Sequence, residues 1–204
     1  MQKLSLDFAL CGGLLLVGAV SALHAAPAQK GDPVQVFDGD VERVSARLFF
    51  VTGQSSPGQF SIDYGQPEWK SEYDGQFDST KGKRLRFGKD FWTTLDTNLT
   101  ISIAGKDVAP GVYYLALDRS NDDKWSLVIL DPKTIQASKS DAYQTAQTTG
   151  GTLIPLTYEA TNTSVEKLTV KLQKGDLDPK KSKLVITWGK HKLWAPIVAQ
   201  IQAS

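Results

Sequence analysis

The hydrophobic and polar positions along this chain repeat mainly with the two-residue period of β-strands. Residues 59–64 show the pattern plainly, because Phe60, Ile62 and Tyr64 alternate with polar neighbours and predict a half-buried strand. Upstream, the pattern of residues 34–51 favours two strands that are separated by a turn at an Asp-Gly pair. The folded part of the chain is therefore expected to begin with β-structure.

The clearest pattern lies in residues 98–131, where three apolar runs are separated by two turn signals. The runs cover residues 99–103, 112–117 and 124–130. An Ala-Pro-Gly sequence between the first two suits a type II turn, because proline fixes φ and glycine accepts a positive φ. This stretch predicts a three-stranded β-meander with short local connections.

The remaining segments complete an all-β pattern with little helix. Residues 52–58 and 131–151 are predicted loops by composition, the second with one helical turn at residues 140–146. Further strands are predicted at residues 84–87, 153–159, 167–172, 184–188 and 191–201, and the first and last of these are interpreted as edge strands. About eight to ten short strands at this spacing predict an antiparallel β-sandwich or a flattened barrel.

The first residues have the layout of a secretory signal peptide. Lys3 precedes an apolar run at residues 8–20, and small residues follow that run. We therefore expect a signal peptide at residues 1–25, a linker at 26–33 and one β-sandwich domain at 34–204. The apolar run is shorter than the roughly 20 residues that span a bilayer, so we expect a periplasmic or secreted protein with no membrane span after cleavage.

Charge and cysteine content exclude several classes of function. The formal net charge of +1 argues against a nucleic-acid partner. The single cysteine, Cys11, lies in the apolar run, so the cleaved chain would have no disulfide, thiol nucleophile or cysteine-based zinc site. His191 would be the only histidine left, and no G-x-S-x-G motif accompanies it. We expect a surface histidine between lysines, and no metal or cofactor.

Four motifs stand in an order that resembles a known family. They are SIDYGQP at residues 61–67, GKDFW at 88–92, IAGKDVAPGVY at 103–113 and KWSLVI at 124–129. Together they resemble the domain of unknown function 2911, a family of exported bacterial domains with a predicted all-β fold. The resemblance covers roughly residues 60–172, and its most specific piece is the hairpin with Gly105, Lys106, Val108, Gly111 and Tyr113.

The chain departs from that family at one place. The family's usual Trp-Arg-x-Gly-x-Asn-Glu run is represented here by residues 92–98, in which Trp92 matches but the arginine and the glutamate are absent. If that polar run carries an activity in the family, its absence implies that this chain lacks the activity. The resemblance implies the fold and export, and it brings no established function.

Residues 68–83 are the segment in which we look for function, because they read as a long irregular surface loop. Aromatic side chains recur in it every four residues, at Trp69, Tyr73 and Phe77. Flat rings beside Glu68 and Glu72 suit sugar stacking combined with hydrogen bonding. The alternative is a loop pinned down by its own aromatic residues, or one short helix that packs on the sheet.

Other candidates have simpler explanations. Residues 118–123 (DRSNDD) carry calcium-like oxygen ligands but lack the glycine and distal glutamate of an EF-hand loop, and a hairpin turn explains them. Trp92, Trp125 and Trp188 lie on strand patterns and are predicted core residues. An enzyme of the glycosidase type would need two placed carboxylates, for which residues 68–78 offer Glu68, Glu72 and Asp74.

The sequence therefore predicts an exported soluble β-sandwich with a non-enzymatic binding or structural role in the bacterial periplasm or at the cell exterior. The expected partner is a carbohydrate or an envelope protein. One alternative is an envelope-glycan hydrolase that uses the carboxylates of residues 68–78. Another is an assembly partner that uses an exposed strand edge near residues 84–87 or the carboxy-terminal strand.

Overall fold

The structure is a computed structural model that describes Val36 and residues 41–201. Residues 41–201 lie within one compact unit. The predicted signal peptide and linker, and all of the first predicted strand except Val36, lie outside the described residues. Within the described part of the chain, no helix combines the length and the apolar character that a membrane-crossing helix needs.

Ten antiparallel strands of the described residues join into one open sheet. They are β1 (Val44–Thr52), β2 (Ser55–Tyr64), β3 (Lys83–Arg86), β4 (Thr93–Thr97), β5 (Ile101–Ile103), β6 (Lys106–Val108), β7 (Gly111–Arg119), β8 (Trp125–Leu130), β9 (Thr152–Lys174) and β10 (Lys181–Ala199). The order is β1-β2-β4-β7-β8-β9-β10-β5-β6, and β3 pairs with β7 beside this path. The predicted antiparallel all-β class is confirmed, although β9 and β10 are long rather than short.

Helical structure is limited to three short elements in the described residues. A 3₁₀ helix covers Ser71–Thr80, α1 covers Pro132–Ala137, and a second 3₁₀ helix covers Ala142–Gln147. The last of these confirms the predicted helical turn. It begins at a capping box, in which the Asp141 side chain accepts hydrogen bonds from two backbone amides and the Gln144 side chain accepts one from the Asp141 amide.

The predicted loop at residues 52–58 is mostly strand. β1 and β2 are joined by a tight turn at residues 53–54, and Thr52 already pairs with Ser55. Gly53 supplies a positive φ of 59° for this turn. The Ser, Pro and Gly residues of this segment suggested a loop because the segment has few apolar side chains. The start of β2 is exposed, however, so its backbone hydrogen bonds to β1 are enough to hold it as a strand.

The predicted meander at residues 98–131 is wrong in its first half. β5 pairs with β6 and β10, while β7 pairs with β3, β4 and β8. Ala104 and Gly105 both have positive φ, 46° and 78°, which is the conformation of a two-residue type I′ hairpin turn. The chain therefore makes a small hairpin of β5 and β6 and then crosses to the other half of the sheet, where β7 pairs with β8 as predicted.

The strand β4 was missing from the sequence prediction because two of its inward positions are threonines. Thr93, Leu95 and Thr97 are all buried. The threonine hydroxyls donate to the backbone carbonyls of Phe87 and Leu99, the second at 2.7 Å. A polar group that is buried with a hydrogen-bond partner costs little, so this strand tolerates an inward face that does not look apolar.

The breaks predicted between the strands at 153–159 and 167–172, and between those at 184–188 and 191–201, are absent because the chain bends inside β9 and β10 instead. More residues separate Ala160 from Thr169 in β9 than separate their partners His191 and Thr187 in β10, so β9 bulges around Asn162. A straight strand of 19 residues would be about 60 Å long, yet the Ala199 amide donates to the Lys180 carbonyl at 2.8 Å. β10 therefore doubles back on itself.

The bend of β10 lies at Gly189, which has a φ of 59° and sits at the two register shifts. The predicted edge strand at residues 191–201 is wrong, because this half of β10 lies between β9 and β5 in the sheet order. Pro196 falls where the pairing changes from β9, up to Trp194, to β5, from Ile197. A proline is tolerated at such a point because its missing N–H is not required there.

Both halves of the folded sheet enclose one hydrophobic core. Its fully buried members include Phe60, Leu95 and Leu127 on one side and Leu184 and Ile197 on the other. Each such side chain stabilises the fold by about 1.5–3 kcal/mol relative to its exposed state. A second, smaller cluster forms where α1 places Ile135 on the opposite face of β7 and β8. One end of the main core is covered by the 3₁₀ helix Ser71–Thr80, which carries the candidate site.

Candidate functional site

The predicted surface loop at residues 68–83 contains a ten-residue 3₁₀ helix, Ser71–Thr80, which we call the aromatic helix. The residues before it are tied to β9, because the Leu168 amide donates to the Pro67 carbonyl at 3.0 Å and Glu68 bridges Lys167. Of the alternatives open from the sequence, a short helix packed on the sheet is the one found. Such long 3₁₀ runs are uncommon, since their hydrogen-bond geometry is poor.

The three predicted aromatic residues come together with rings from the sheet. We call this group the aromatic cluster: Trp69, Tyr73, Phe77, Trp125, Tyr158, Trp188 and His191. Trp69 lies edge-on to Trp188 at 4.9 Å between ring centroids and edge-on to Tyr73 at 5.6 Å. Edge-to-face and offset contacts of this kind are the favoured arrangements of aromatic rings.

Trp69 also lies directly on the bend of β10. A Cβ atom placed on Gly189 would overlap the indole and would stand 2.7 Å from its Cε3 atom. Gly189 thus serves two purposes, because it takes the positive φ of the bend and leaves room for the ring. The aromatic helix is positioned against the sheet by this close contact at its start.

Phe77 has both faces of its ring covered. The His191 imidazole stacks on it with 3.6 Å between centroids and 7° between planes. The Arg119 guanidinium lies 4.3 Å from the same ring centre, and two groups so close to one ring must occupy opposite faces. Phe77 is therefore partly buried and has no free ring face for a sugar.

Arg119 connects the aromatic helix to the sheet. It is only 4% exposed, and it donates to the Phe77 carbonyl at 2.6 Å and to Thr80 Oγ1 at 2.8 Å. Its Nε donates to Asp123 at 2.6 Å. A buried arginine is stable only when its donors and its charge are matched, and this one is matched by the end of the aromatic helix and by a carboxylate.

Two of the three carboxylates in the calcium-like segment 118–123 are paired with cations. Asp118 accepts from Arg84 at 2.8 Å, while Asp123 pairs with Arg119 and, at 2.9 Å, with Lys81. The hydrogen bond from Lys81 lowers the pKa of Asp123, and Asp123 in turn raises the pKa of Lys81. Across residues 41–201, no group of three or more His, Cys, Asp and Glu residues is placed to hold a metal ion.

His191 is not the surface residue that the sequence suggested. It is partly buried in the stack on Phe77, and its Nδ1 shares a 2.9 Å hydrogen bond with the hydroxyl of Tyr158. Burial is the main cause that lowers the pKa of His191; the charge of Arg119 acts in the same direction and that of Asp74 opposes it. Burial likewise raises the pKa of Tyr158. The lysine neighbours misled the prediction because Lys190 is exposed and Lys192 pairs with Glu159, whereas His191 itself packs on Phe77.

The predicted acidic residues of the segment are all exposed. Glu68 lies 4.0 Å from the Lys167 ammonium group, and Glu72 and Asp74 lie on the exposed side of the aromatic helix. A carboxylic acid that protonates a leaving group is generally held in an apolar site. These three side chains are exposed, and none is in such a site.

The three predicted core tryptophans have different environments. Trp125 is buried in the main core, as predicted. Trp188 is partly buried and donates from Nε1 to the Pro67 carbonyl at 3.0 Å. Trp92 stacks on Tyr114 at 5.1 Å and packs against the smaller cluster instead of the main core.

Neither predicted strand edge is open for a partner. Beside β3, Arg84 donates to the carbonyls of Thr148 and Gly150 at 3.1 and 3.0 Å, so the segment after the second 3₁₀ helix covers this strand. The carboxy-terminal strand lies inside the sheet. The structure thus gives no support to assembly through these two places.

Arg119, Tyr158, His191 and Gly189 were not recognised as parts of the site from the sequence. A signal existed for Arg119, because it continues the inward alternation of Leu115 and Leu117 in β7. A charge at an inward strand position needs a partner and marks a polar contact in the core. The other three residues come together only because β10 bends, and no local sequence pattern predicts that bend.

Comparison with known proteins gives one match. The family model described as "Protein of unknown function (DUF2911)" matches residues 50–197, which extends the resemblance seen in the motifs at both ends. No curated protein and no solved structure matches the chain significantly. The matched region contains every member of the aromatic cluster.

Proposed function

The chain belongs to the DUF2911 family of proteins of unknown function, and from this premise we propose that it is an exported, non-enzymatic binding module that contacts carbohydrate at the aromatic cluster. Export is supported by the charged, apolar and small-residue pattern at residues 1–25. The binding role is supported by the aromatic cluster, in which partly exposed rings are held in place by contacts with other rings.

The proposal rests mainly on one observation: several aromatic rings are partly exposed and are held in place by contacts with other rings. Tyr158 is 38% exposed, and Trp69 and Tyr73 are partly exposed while both rings pack against Trp188. Rings that cannot move lose little conformational entropy when a ligand binds, which favours affinity. They offer apolar surface to the C–H groups of a sugar.

Polar groups suited to sugar hydroxyls surround these rings. Glu68 and Glu72 are exposed at the start of the aromatic helix, and the hydroxyl of Tyr158 is already oriented by His191. Oriented donors and acceptors beside an apolar surface are the usual composition of a small-molecule site. Phe77 supports the site from beneath, while Trp69, Tyr73 and Tyr158 are the rings that would contact ligand.

The non-enzymatic part of the proposal is supported by the same geometry. Glu68, Glu72 and Asp74 are exposed, and His191 is stacked on the Phe77 ring with its Nδ1 already bonded to the Tyr158 hydroxyl. A general base must reach the proton that it removes, and this imidazole is occupied by structural contacts. Binding needs only the surface that these groups leave exposed.

The test is binding of the protein to an array of bacterial envelope glycans, with purified peptidoglycan as a sedimentable probe. Tyr73→Ala should weaken binding by about tenfold or more, as expected for an aromatic contact. Phe49→Ala is the matched control, because Phe49 is an aromatic residue on β1 that is 66% exposed and outside the cluster. Circular dichroism establishes that both variants are folded.

Two results would contradict the proposal. Failure of the wild-type protein to bind any glycan or peptidoglycan, or equal binding by the two variants, would remove the carbohydrate site. Release of reducing ends from a bound glycan by the wild-type protein would show instead that the module is an enzyme.

A further inference from the structure

We propose that the aromatic helix is a lid over the end of the core that stays closed while His191 is neutral, and that protonation of His191 opens it. The inference rests on the proposed function in one respect, because the lid carries Tyr73, one of the rings that would contact ligand, and begins just after Trp69, another of them. Protonation would then regulate binding at that site.

The aromatic helix is weakly held by its own structure. It has ten residues of 3₁₀ helix, none of which is buried, and Gly75 within it has open space around its Cβ position. The segment ends near Gly82, which has a φ of 70°. Long 3₁₀ stretches and positive-φ glycines often mark segments that move, so closure depends on the contacts that the helix makes with the sheet.

Those contacts converge on the stack of His191, Phe77 and Arg119. The imidazole lies 3.6 Å from the Phe77 ring on one face, and the guanidinium lies 4.3 Å from it on the other. A second positive charge on His191 would face Arg119 across a single phenyl ring. The two cations would repel each other in a partly buried region where water screens charge poorly.

Protonation would also change the hydrogen bond to Tyr158. Neutral His191 can accept the Tyr158 hydroxyl proton at Nδ1, over the 2.9 Å that separates the two atoms. A protonated imidazole has no acceptor, so the Tyr158 hydroxyl would have to reorient. The Nδ1–H group would then donate to the Tyr158 oxygen, and the hydroxyl proton would need another acceptor.

Charged groups face His191 from each element packed against it. The aromatic helix contributes Asp74, which favours the protonated form, and β7 contributes Arg119, which opposes it. Asp78 and Asp123 are engaged by Arg119 and by Lys81. Within β10, Lys190 and Lys192 flank the histidine, and Lys192 is paired with Glu159 at 2.8 Å. Burial and Arg119 outweigh Asp74, since the pKa of His191 is lowered.

The direction of the effect follows from linkage. An open lid returns His191 to water and to an ordinary pKa of about 6.5, whereas the closed lid holds the pKa lower. Protons therefore bind the open form more tightly and shift the population toward it. Each unit of pKa difference between the two forms multiplies the opening constant by about tenfold at acidic pH.

The test uses the full chain with His24→Gln, which leaves His191 as the only histidine to observe by NMR. Amide hydrogen exchange of residues 69–82 is measured at about pH 8 and about pH 5 and corrected for intrinsic exchange. We expect the His191 resonance to titrate below the ordinary histidine range. We expect the protection of residues 69–82 to fall at the lower pH, while that of β7 and β8 does not.

Variants separate the lid from general loosening. His191→Gln should remove the pH dependence of the protection, and Asp74→Asn should increase the opening at acidic pH, because it removes a charge that favours protonation of His191 in the closed form. Protection that is independent of pH in the wild-type chain, or pH dependence that persists in a folded His191→Gln variant, would overturn the proposal. No ligand is used, so this outcome is independent of whether carbohydrate binds.

Discussion

The indole of Trp69 occupies the space that a side chain at position 189 would need. A Cβ atom on Gly189 would stand 2.7 Å from Cε3 of Trp69, and Gly189 has a φ of 59°. The first ring of the aromatic cluster and the bend of β10 are therefore fitted to each other. The aromatic helix can reach its place only if residue 189 has no side chain.

Gly189→Ala should destabilise the protein by about 2–4 kcal/mol, because it adds backbone strain and displaces Trp69. Gly53→Ala is a matched control, since Gly53 also has a φ of 59° but has open space around its Cβ position. Gly53→Ala should lower the free energy of unfolding only by the backbone strain, about 1 kcal/mol. Urea unfolding measures both, and equal losses would show that Trp69 does not require the glycine.

Arg119→Lys should destabilise the protein by about 2–4 kcal/mol, although the charge is kept. Lysine lacks the planar group that lies on Phe77 and donates at once to Phe77, Thr80 and Asp123. Arg47→Lys, at an exposed position of β1, should change stability by less than about 0.5 kcal/mol. Denaturant titration compares the two, and a similar small effect of both would exclude the connecting role of Arg119.

Stability should decrease as the pH falls from about 7 to about 5.5, and His191 should account for the decrease. Its pKa is lower in the folded protein than in the unfolded chain, so the unfolded chain binds protons more readily. The contribution is present above the unfolded pKa of about 6.5 and is lost as the pH falls through the folded value. Asp123 and Glu159, whose pKa values are also lowered, titrate at more acidic pH.

Thermal unfolding in this pH range measures the effect, with His191→Gln as the comparison. The variant should show a flatter dependence on pH than the wild-type protein. A slope that is the same in both would assign the pH dependence to other groups.

Ala104→Gly should stabilise the protein by about 0.5–1 kcal/mol. Ala104 has a φ of 46° in the hairpin turn between β5 and β6, which strains a residue with a Cβ atom. Relief of that strain exceeds the entropy that glycine adds to the unfolded chain. Ala109→Gly, at an exposed alanine without a positive φ, should be destabilising by a few tenths of a kcal/mol. Calorimetry should show that Ala104→Gly raises the stability and that Ala109→Gly lowers it. A decrease in stability for both variants would contradict this account.

The sequence predicted correctly those elements whose structure is determined by residues close together in the chain. The alternation of Phe60, Ile62 and Tyr64 placed β2 on the core, and all three are buried. The helical turn near Asp141 was recognised as well, because it is specified by a capping box within four consecutive residues. In both cases the residues that determine the structure are neighbours in the sequence.

Features that depend on distant segments were not predicted. The sequence of residues 98–131 does not reveal that β5 and β6 lie in a different part of the sheet from β7. Their place is decided by β10, which pairs with β5. His191 appeared exposed because its sequence neighbours are lysines, yet Phe77 covers one of its faces. The aromatic residues of segment 68–83 were recognised correctly as a group, but their packing partners lie far along the chain.

The separation of these partners in the sequence determines when the site can form during folding. The hairpins β1–β2, β5–β6 and β7–β8 close over short loops, whereas Trp69 meets Gly189 across well over half of the chain. Closing so long a loop has a large entropic cost, and the surface that receives Trp69 exists only after β10 has bent. We therefore expect the aromatic helix to dock late, after the sheet has assembled. Until then the rings of its segment are exposed, and a newly made chain would be open to proteases and to association at this end of the molecule.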